Sequence, residues 1–137
     1  MSDRNHVTSP NLEGVDRFAS EPKKVDKPWG YELIFAVTDH YAGKLLVVDA
    51  GESLSLQFHR VKDEAWYVLE GRAELEIGAA GEGVLTTEVV GAGASFHFPP
   101  GTVHRLSAIE DTTILEVSTP ELGDIVRLED RYGRTGH

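Results

Sequence analysis

From Pro28 onward, apolar and polar residues alternate in short runs separated by glycine and proline. Residues 31–37, 44–48, 53–59, 65–69, 73–77, 84–90, 95–98, 104–108 and 112–118 each read as a strand. Ser53-Leu-Ser-Leu-Gln-Phe-His59 and Ala73-Glu-Leu-Glu-Ile77 carry the period of two that marks a strand with two different faces. The runs break at Ala50-Gly51, Glu70-Gly71, the Gly- and Ala-rich 78–83, Gly91-Ala-Gly93 and Pro99-Pro-Gly101. Turn signals about every 8–12 residues, with no sustained helical period, predict an all-β domain. A small antiparallel β-barrel or double-sheet jelly roll hides its edges and leaves a cavity at its mouth. From Asp124 onward the pattern reads as helical or irregular. Residues 1–24 are polar and lack a period, so they read as a tail, with one short helical turn at Leu12, Val15 and Phe18. The folded domain is then 25–137.

Composition narrows the function. The chain has 137 residues, which at roughly 100–200 residues per domain is a single domain. Thirteen Lys and Arg against 23 Asp and Glu leave a net charge of −10. Nucleic-acid binders need cations to displace counterions from phosphates, so that balance argues against them and against a polybasic membrane anchor. There is no cysteine, which excludes disulfides, Cys-ligated zinc and a catalytic thiol. No apolar run approaches the ~20 residues of a membrane span, and no secretory pattern opens the chain. The expected compartment is the cytoplasm.

The chemistry-bearing residues cluster in two places. Gln57 and His59 are two apart on a strand and share a face. Glu64 opens the next strand after a short link, and His104 follows the Pro99-Pro-Gly101 turn. An amide oxygen, two imidazoles and a carboxylate make a first shell for a divalent ion with open positions. Such a set suits zinc, cobalt, manganese, nickel or iron, with zinc the leading expectation. The order is Gly51-(five)-Gln57-Phe-His59-(four)-Glu64-(six)-Gly71, then, after 21 residues, Gly93-(five)-Pro99-Pro-Gly101-(two)-His104. This resembles the two motifs of the cupin superfamily, with Gln57 where many cupins place a first histidine. The implied fold is the jelly-roll cupin, a double-stranded β-helix.

A narrower resemblance lies inside it. Lys27-Pro-Trp-Gly-Tyr-Glu32, Leu54-Ser-Leu-Gln-Phe-His59, Glu64-Ala-Trp66, Pro100-Gly-Thr-Val-His-Arg105 and Asp124-Ile-Val-Arg-Leu-Glu-Asp-Arg-Tyr-Gly-Arg134 look like the type II mannose-6-phosphate isomerase cupin. The resemblance implies Gln57, His59, Glu64 and His104 as metal ligands, and interconversion of mannose 6-phosphate and fructose 6-phosphate. That reaction moves a proton between C2 and C1. It needs a Lewis acid, a general base and a cation for the phosphate. Arg127 leads for the phosphate, with Lys44 and Arg105 behind it; the alternative for Arg127 is an ion pair with Glu129 or Asp124. For the base the choices are His97, Glu64 or a metal-bound hydroxide. Trp66 shares parity with Glu64 and either stacks on a sugar ring or packs in the core. Trp29 reads as a structural anchor, and His6, His40 and His137 as surface residues. Lys62 stands where the family carries Arg, and Ala108 where cupins often carry Asn. Lysine does not replace a bidentate guanidinium. Two rivals share the fold: an iron-dependent dioxygenase and a non-catalytic sugar-binding cupin. The expected partners are a small sugar phosphate and a second copy of the chain in a homodimer, with no nucleic acid and no membrane.

Overall fold

The computed structural model describes residues 14–135. The expectations for residues 1–13, including His6 and Leu12, and for His137 lie outside them. A five-residue 3-10 turn at Gly14–Phe18 precedes the strands and buries none of its residues. Eleven strands follow in chain order: β1 Lys23–Lys27, β2 Gly30–Val37, β3 Ala42–Val48, β4 Leu56–Phe58, β5 Glu64–Glu70 and β6 Arg72–Ala79. Then come β7 Thr86–Gly91, β8 Ser95–Phe98, β9 Thr102–Ala108, β10 Thr112–Ser118 and β11 Val126–Glu129. No α-helix occurs among the described residues.

Every pairing is antiparallel. One sheet has six strands in the order β1-β2-β3-β10-β5-β8, the other five in the order β11-β4-β9-β6-β7. The two sheets face each other as a jelly roll. Three sequence expectations shift. The tail boundary at residue 24 falls inside β1, which pairs with β2 from Lys23↔Ile34 to Lys27↔Gly30. The strand expected at 53–59 contracts to Leu56–Phe58 plus one bridge, Ser53↔Ser107, because the chain must bend to present His59. The C-terminal stretch is neither helical nor irregular throughout: Val126–Glu129 adds an edge strand to β4. An edge strand pairs on one side only, so four residues with a weak pattern suffice.

Directly opposed residues on antiparallel strands share a face, so register assigns the interior row by row. In the six-stranded sheet, Leu46, Ile114 and Val68 form one inward row and Lys44, Glu116 and Trp66 the next. Opposite them lie Leu75 and Leu106, and then Arg127, Gln57, His104 and Ile77. The first row of each sheet is buried with Trp29, Val48 and Phe98 in the apolar core. Each such side chain contributes roughly 1.5–3 kcal/mol through burial. In the second rows Lys44, Glu116, Gln57 and Arg127 line a chamber.

Two glycines fix the geometry that follows. Gly30 has a φ of +148°, and a Cβ there would overlap the Val47 carbonyl. Trp29, just before it, is buried beneath the β1–β2 turn as an anchor. Gly101 has a φ of +87°, a left-handed conformation that suits glycine. Its N–H donates to the His59 carbonyl at 2.8 Å, tying the His104 turn to the His59 loop.

Candidate metal centre and anion chamber

His59, Glu64 and His104 are brought together from the end of β4, the start of β5 and the middle of β9. All three are buried, and one ligand atom from each lies within 4.8 Å of the others. His59 Nε2 stands 2.9 Å from Glu64 Oε1, and His104 Nε2 stands 3.6 Å from it. The far side of each ring is committed to backbone. His59 Nδ1 meets the Asp124 carbonyl, and His104 Nδ1 meets the Thr102 carbonyl at 3.0 Å. A carbonyl only accepts, so both Nδ1 atoms carry a proton, and a bound cation would meet the lone pair of each Nε2.

The three side chains therefore converge on one point. His59 Nε2, His104 Nε2 and both Glu64 oxygens are buried without a hydrogen-bond partner. Buried polar atoms left unpaired cost several kcal/mol in sum, and a divalent cation resolves all of them at once. The donor set fits such an ion. Burial pushes the Glu64 carboxyl up, but His104, His59 and the Lys62 ammonium outweigh it and hold it well below the usual carboxylate range. Gln57 pairs in register with His104, lines the chamber, and accepts the Ser55 hydroxyl at 2.8 Å through Oε1. That leaves its second oxygen lone pair for a metal.

A clamp holds this loop. The Asp124 carboxylate accepts the backbone N–H groups of Arg60, Val61 and Lys62 at 3.1, 2.7 and 2.8 Å. Burial opposes its charge, but those three bonds prevail and lower its pKa. Asp124 is thus engaged with the loop and does not pair with Arg127. Glu129 pairs with Arg105 instead.

Behind the ligands runs a buried ionic network that sequence reasoning missed. Glu116 accepts the Trp66 indole N–H at 2.9 Å and the Lys62 ammonium at 3.2 Å, and pairs with Lys44 at 3.6 Å. Lys62 also lies 3.8 Å from Glu64. Lys44 donates to Glu32 at 3.0 Å. Burial opposes the Lys44 charge, yet the Glu116 and Glu32 carboxylates raise its pKa. Glu116 shares its face of β10 with Ile114 and Ser118. The outward set of that strand, Thr113, Leu115 and Val117, is at least as apolar, so alternation did not reveal which face was inside.

The chamber has a cavity volume of about 120 Å³ and opens at its mouth. Arg127, Lys27 and Arg134 gather there. Arg127 Nε is buried without a partner. Burial lowers the Arg127 pKa, and the Arg134 charge lowers it further. Lys27 is lowered by burial and by Lys44, Arg127 and Arg134, with Glu32 opposing. Cations that depress one another inside a cavity favour an anion.

Three expected residues are elsewhere. His97 is on the outer face of edge strand β8, its side chain 62% exposed and paired with Asp63 at 2.7 Å. Arg105 points out of the barrel and binds Glu76 through Nε and Nη2 at 2.8 and 3.1 Å. Trp66 is 2% exposed and packs edge-on against Phe98 and His104, with centroids 4.9 and 5.3 Å away. Of its two readings it takes the core one, and it does not line the chamber. Lys44 and Lys62 do line it, but carboxylates already neutralise them.

Comparison with known proteins gives the family and the fold. The family described as "Cupin domain" matches residues 44–118. The chain is 37% identical over 118 residues to the xanthan biosynthesis protein XanB of Xanthomonas campestris pv. campestris, covering 82% of this chain and 24% of that one. It is 35% identical to the mannose-1-phosphate guanylyltransferase ManC of Salmonella typhimurium, covering 82% and 23%. It thus spans about a quarter of the length of these relatives. Among solved structures, Bacillus subtilis oxalate decarboxylase superposes with a TM-score of 0.68 at 20% identity, covering 79% of this chain and 30% of that one. That likeness concerns the fold. Among the described residues, no helix is long and apolar enough to cross a membrane.

Proposed function

The chain belongs to the cupin family, and from that premise we propose that it is a metal-dependent aldose–ketose isomerase converting mannose 6-phosphate to fructose 6-phosphate. The observation that carries the reading is one chamber lined by two unlike sets of groups. His59 and Glu64 bring buried ligand atoms without a hydrogen-bond partner; Arg127 brings a half-buried guanidinium whose Nε has no partner. A sugar phosphate has the matching polarity, with carbonyl and hydroxyl oxygens at one end and a dianion at the other. The similarity to proteins of xanthan and mannose-1-phosphate metabolism supports that substrate class.

His59, Glu64 and His104 would hold the ion, with Gln57 beside His104 as the fourth ligand. Zinc is the first choice; cobalt, manganese, nickel and iron(II) accept the same donors. Bound there, a divalent ion supplies Lewis acidity to the carbonyl. Arg127 takes the phosphate, its planar fork suited to two oxygens, with Lys27 and Arg134 adding charge. Lys62 serves the ligand set instead: it holds its ammonium near Glu64 and is itself held by Glu116. A lysine at this position therefore serves as a point charge, and no bidentate contact is lost.

The test is a coupled assay for fructose 6-phosphate on metal-stripped protein reloaded with each metal, with metal content measured in parallel. We expect turnover restored by one or more metals and abolished in Gln57→Ala. Arg127→Ala should raise KM at least tenfold while metal content stays stoichiometric. Stoichiometric metal without turnover of any phosphorylated aldose would refute the isomerase and favour a sugar-binding cupin. Oxygen consumption with iron alone would favour a dioxygenase.

A further inference from the structure

We propose that Glu32 is the general base that carries the proton between C2 and C1; this inference rests on the isomerase reading above. The other candidates for the base are His97, Glu64 and a metal-bound hydroxide. His97 is on the outer face of the barrel. Glu64 lies within the cluster of metal-ligand atoms, and its oxygens serve there. A metal-bound hydroxide would need no residue of the chain and so leaves the chamber's remaining carboxylates unexplained.

Those carboxylates are Glu32 and Glu116. Glu116 is saturated by the Trp66 indole and two ammoniums, and its side chain is only 4% exposed. Glu32 differs in each respect. It faces inward from β2, opposite Leu46 in register. Its side chain is 15% exposed toward the chamber. One of its oxygens accepts from Lys44; the other has no partner among the described residues and remains available.

The reacting carbons lie between the metal-binding oxygens and the phosphate, so a base must lie in the chamber that takes both. Glu32 lines that chamber together with His59, Glu64 and Arg127. The Lys44 hydrogen bond fixes the orientation of the carboxylate, as a base requires.

The step balances on these groups. The free Glu32 oxygen takes the C2 proton of the open-chain aldose. The C2–H electron pair becomes the C1–C2 π bond as the carbonyl π electrons move to O1, which is protonated from water in the chamber. The protonated carboxyl then returns its proton to C1, while O2 gives its hydroxyl proton to water and closes the C2 carbonyl. No oxidant or further co-reactant enters. General-base catalysis by a positioned side chain contributes typically 10²–10⁴-fold.

The test uses Glu32→Gln, which is nearly isosteric and whose amide oxygen still accepts from Lys44. Metal content, KM, kcat and solvent-deuterium exchange into the sugar phosphate are measured together. We expect full metal, KM within about threefold of the parent, and kcat and exchange both down about 100-fold or more. Exchange separates a base from a structural role, because a residue that merely shapes the chamber would change KM or metal content first. A kcat within about fivefold of the parent would overturn the proposal. Should Glu32→Gln fail to load metal, Glu32→Asp keeps the charge and retracts the carboxylate by one methylene; kcat should drop at least tenfold with metal retained, and an unchanged kcat would overturn it. A parent protein with neither turnover nor exchange would instead sink the isomerase reading, and no variant would be needed to see it.

Discussion

Asp124 offers the sharpest test of how the metal loop is built. Its carboxylate accepts three consecutive backbone N–H groups, from Arg60, Val61 and Lys62. Its own carbonyl orients the His59 ring. A hydrogen bond to a charged acceptor contributes about 1.5–3 kcal/mol, and solvent reaches the Arg60 and Val61 groups, so most of their share is recovered from water. Asp124→Ala should then cost about 2–3 kcal/mol, and Asp124→Asn about half that, because one amide oxygen replaces two carboxylate oxygens. At roughly 4 °C per kcal/mol for a domain of this size, the alanine variant melts about 8–12 °C lower. Outer-shell groups that orient a ligand typically change metal affinity 10–100-fold, and we expect a loss in that range. Calorimetric melting of metal-stripped protein, with zinc titrated separately, gives both numbers. A melting temperature within about 2 °C of the parent together with an unchanged zinc affinity would refute the clamp.

Three further predictions follow from other parts of the fold. His104→Ala should lose the metal while keeping the β-sheet circular-dichroism signature, at a cost of about 2–4 kcal/mol for the cavity left against Phe98; retained stoichiometric metal would remove His104 from the site. Arg134 donates to Asp130 through its backbone N–H, Nε and Nη2, and depresses that carboxyl's pKa. A depressed carboxylate contributes stability that is present above the unfolded value of about 3.9 and lost as pH falls through the native value. The urea midpoint should therefore fall with acid below about pH 4, less steeply in Arg134→Met; parallel acid limbs would disprove the pairing. Tyr67, Leu69 and Val117 are exposed on the outer face of the six-stranded sheet, and we propose that a second copy covers it. Light scattering should give twice 15.0 kDa, and a 15.0 kDa particle would exclude the homodimer.

Much of this was legible along the chain. The period of two and the glycine and proline punctuation located most of the strands, because both are local properties of the backbone. Gln57, His59, Glu64 and His104 could be picked out because the first three are close in sequence, on either side of the link from β4 to β5, and the fourth follows a glycine turn. The tertiary structure decided which face of each strand is the inside. His97, Arg105 and Trp66 were ambiguous in sequence because both faces of these strands carry apolar neighbours; the fold turned His97 and Arg105 outward and buried Trp66. Nothing in the pattern of the chain sets Glu116 and Glu32 apart; sheet pairing brings Lys44 to both of them. β11 was hidden because an edge strand needs few residues and little pattern. Sequence thus determined the strands and the donor types. Only the closure of two sheets, which brings residues from distant strands within a few ångströms, decided which donors meet and which charges are left facing a ligand.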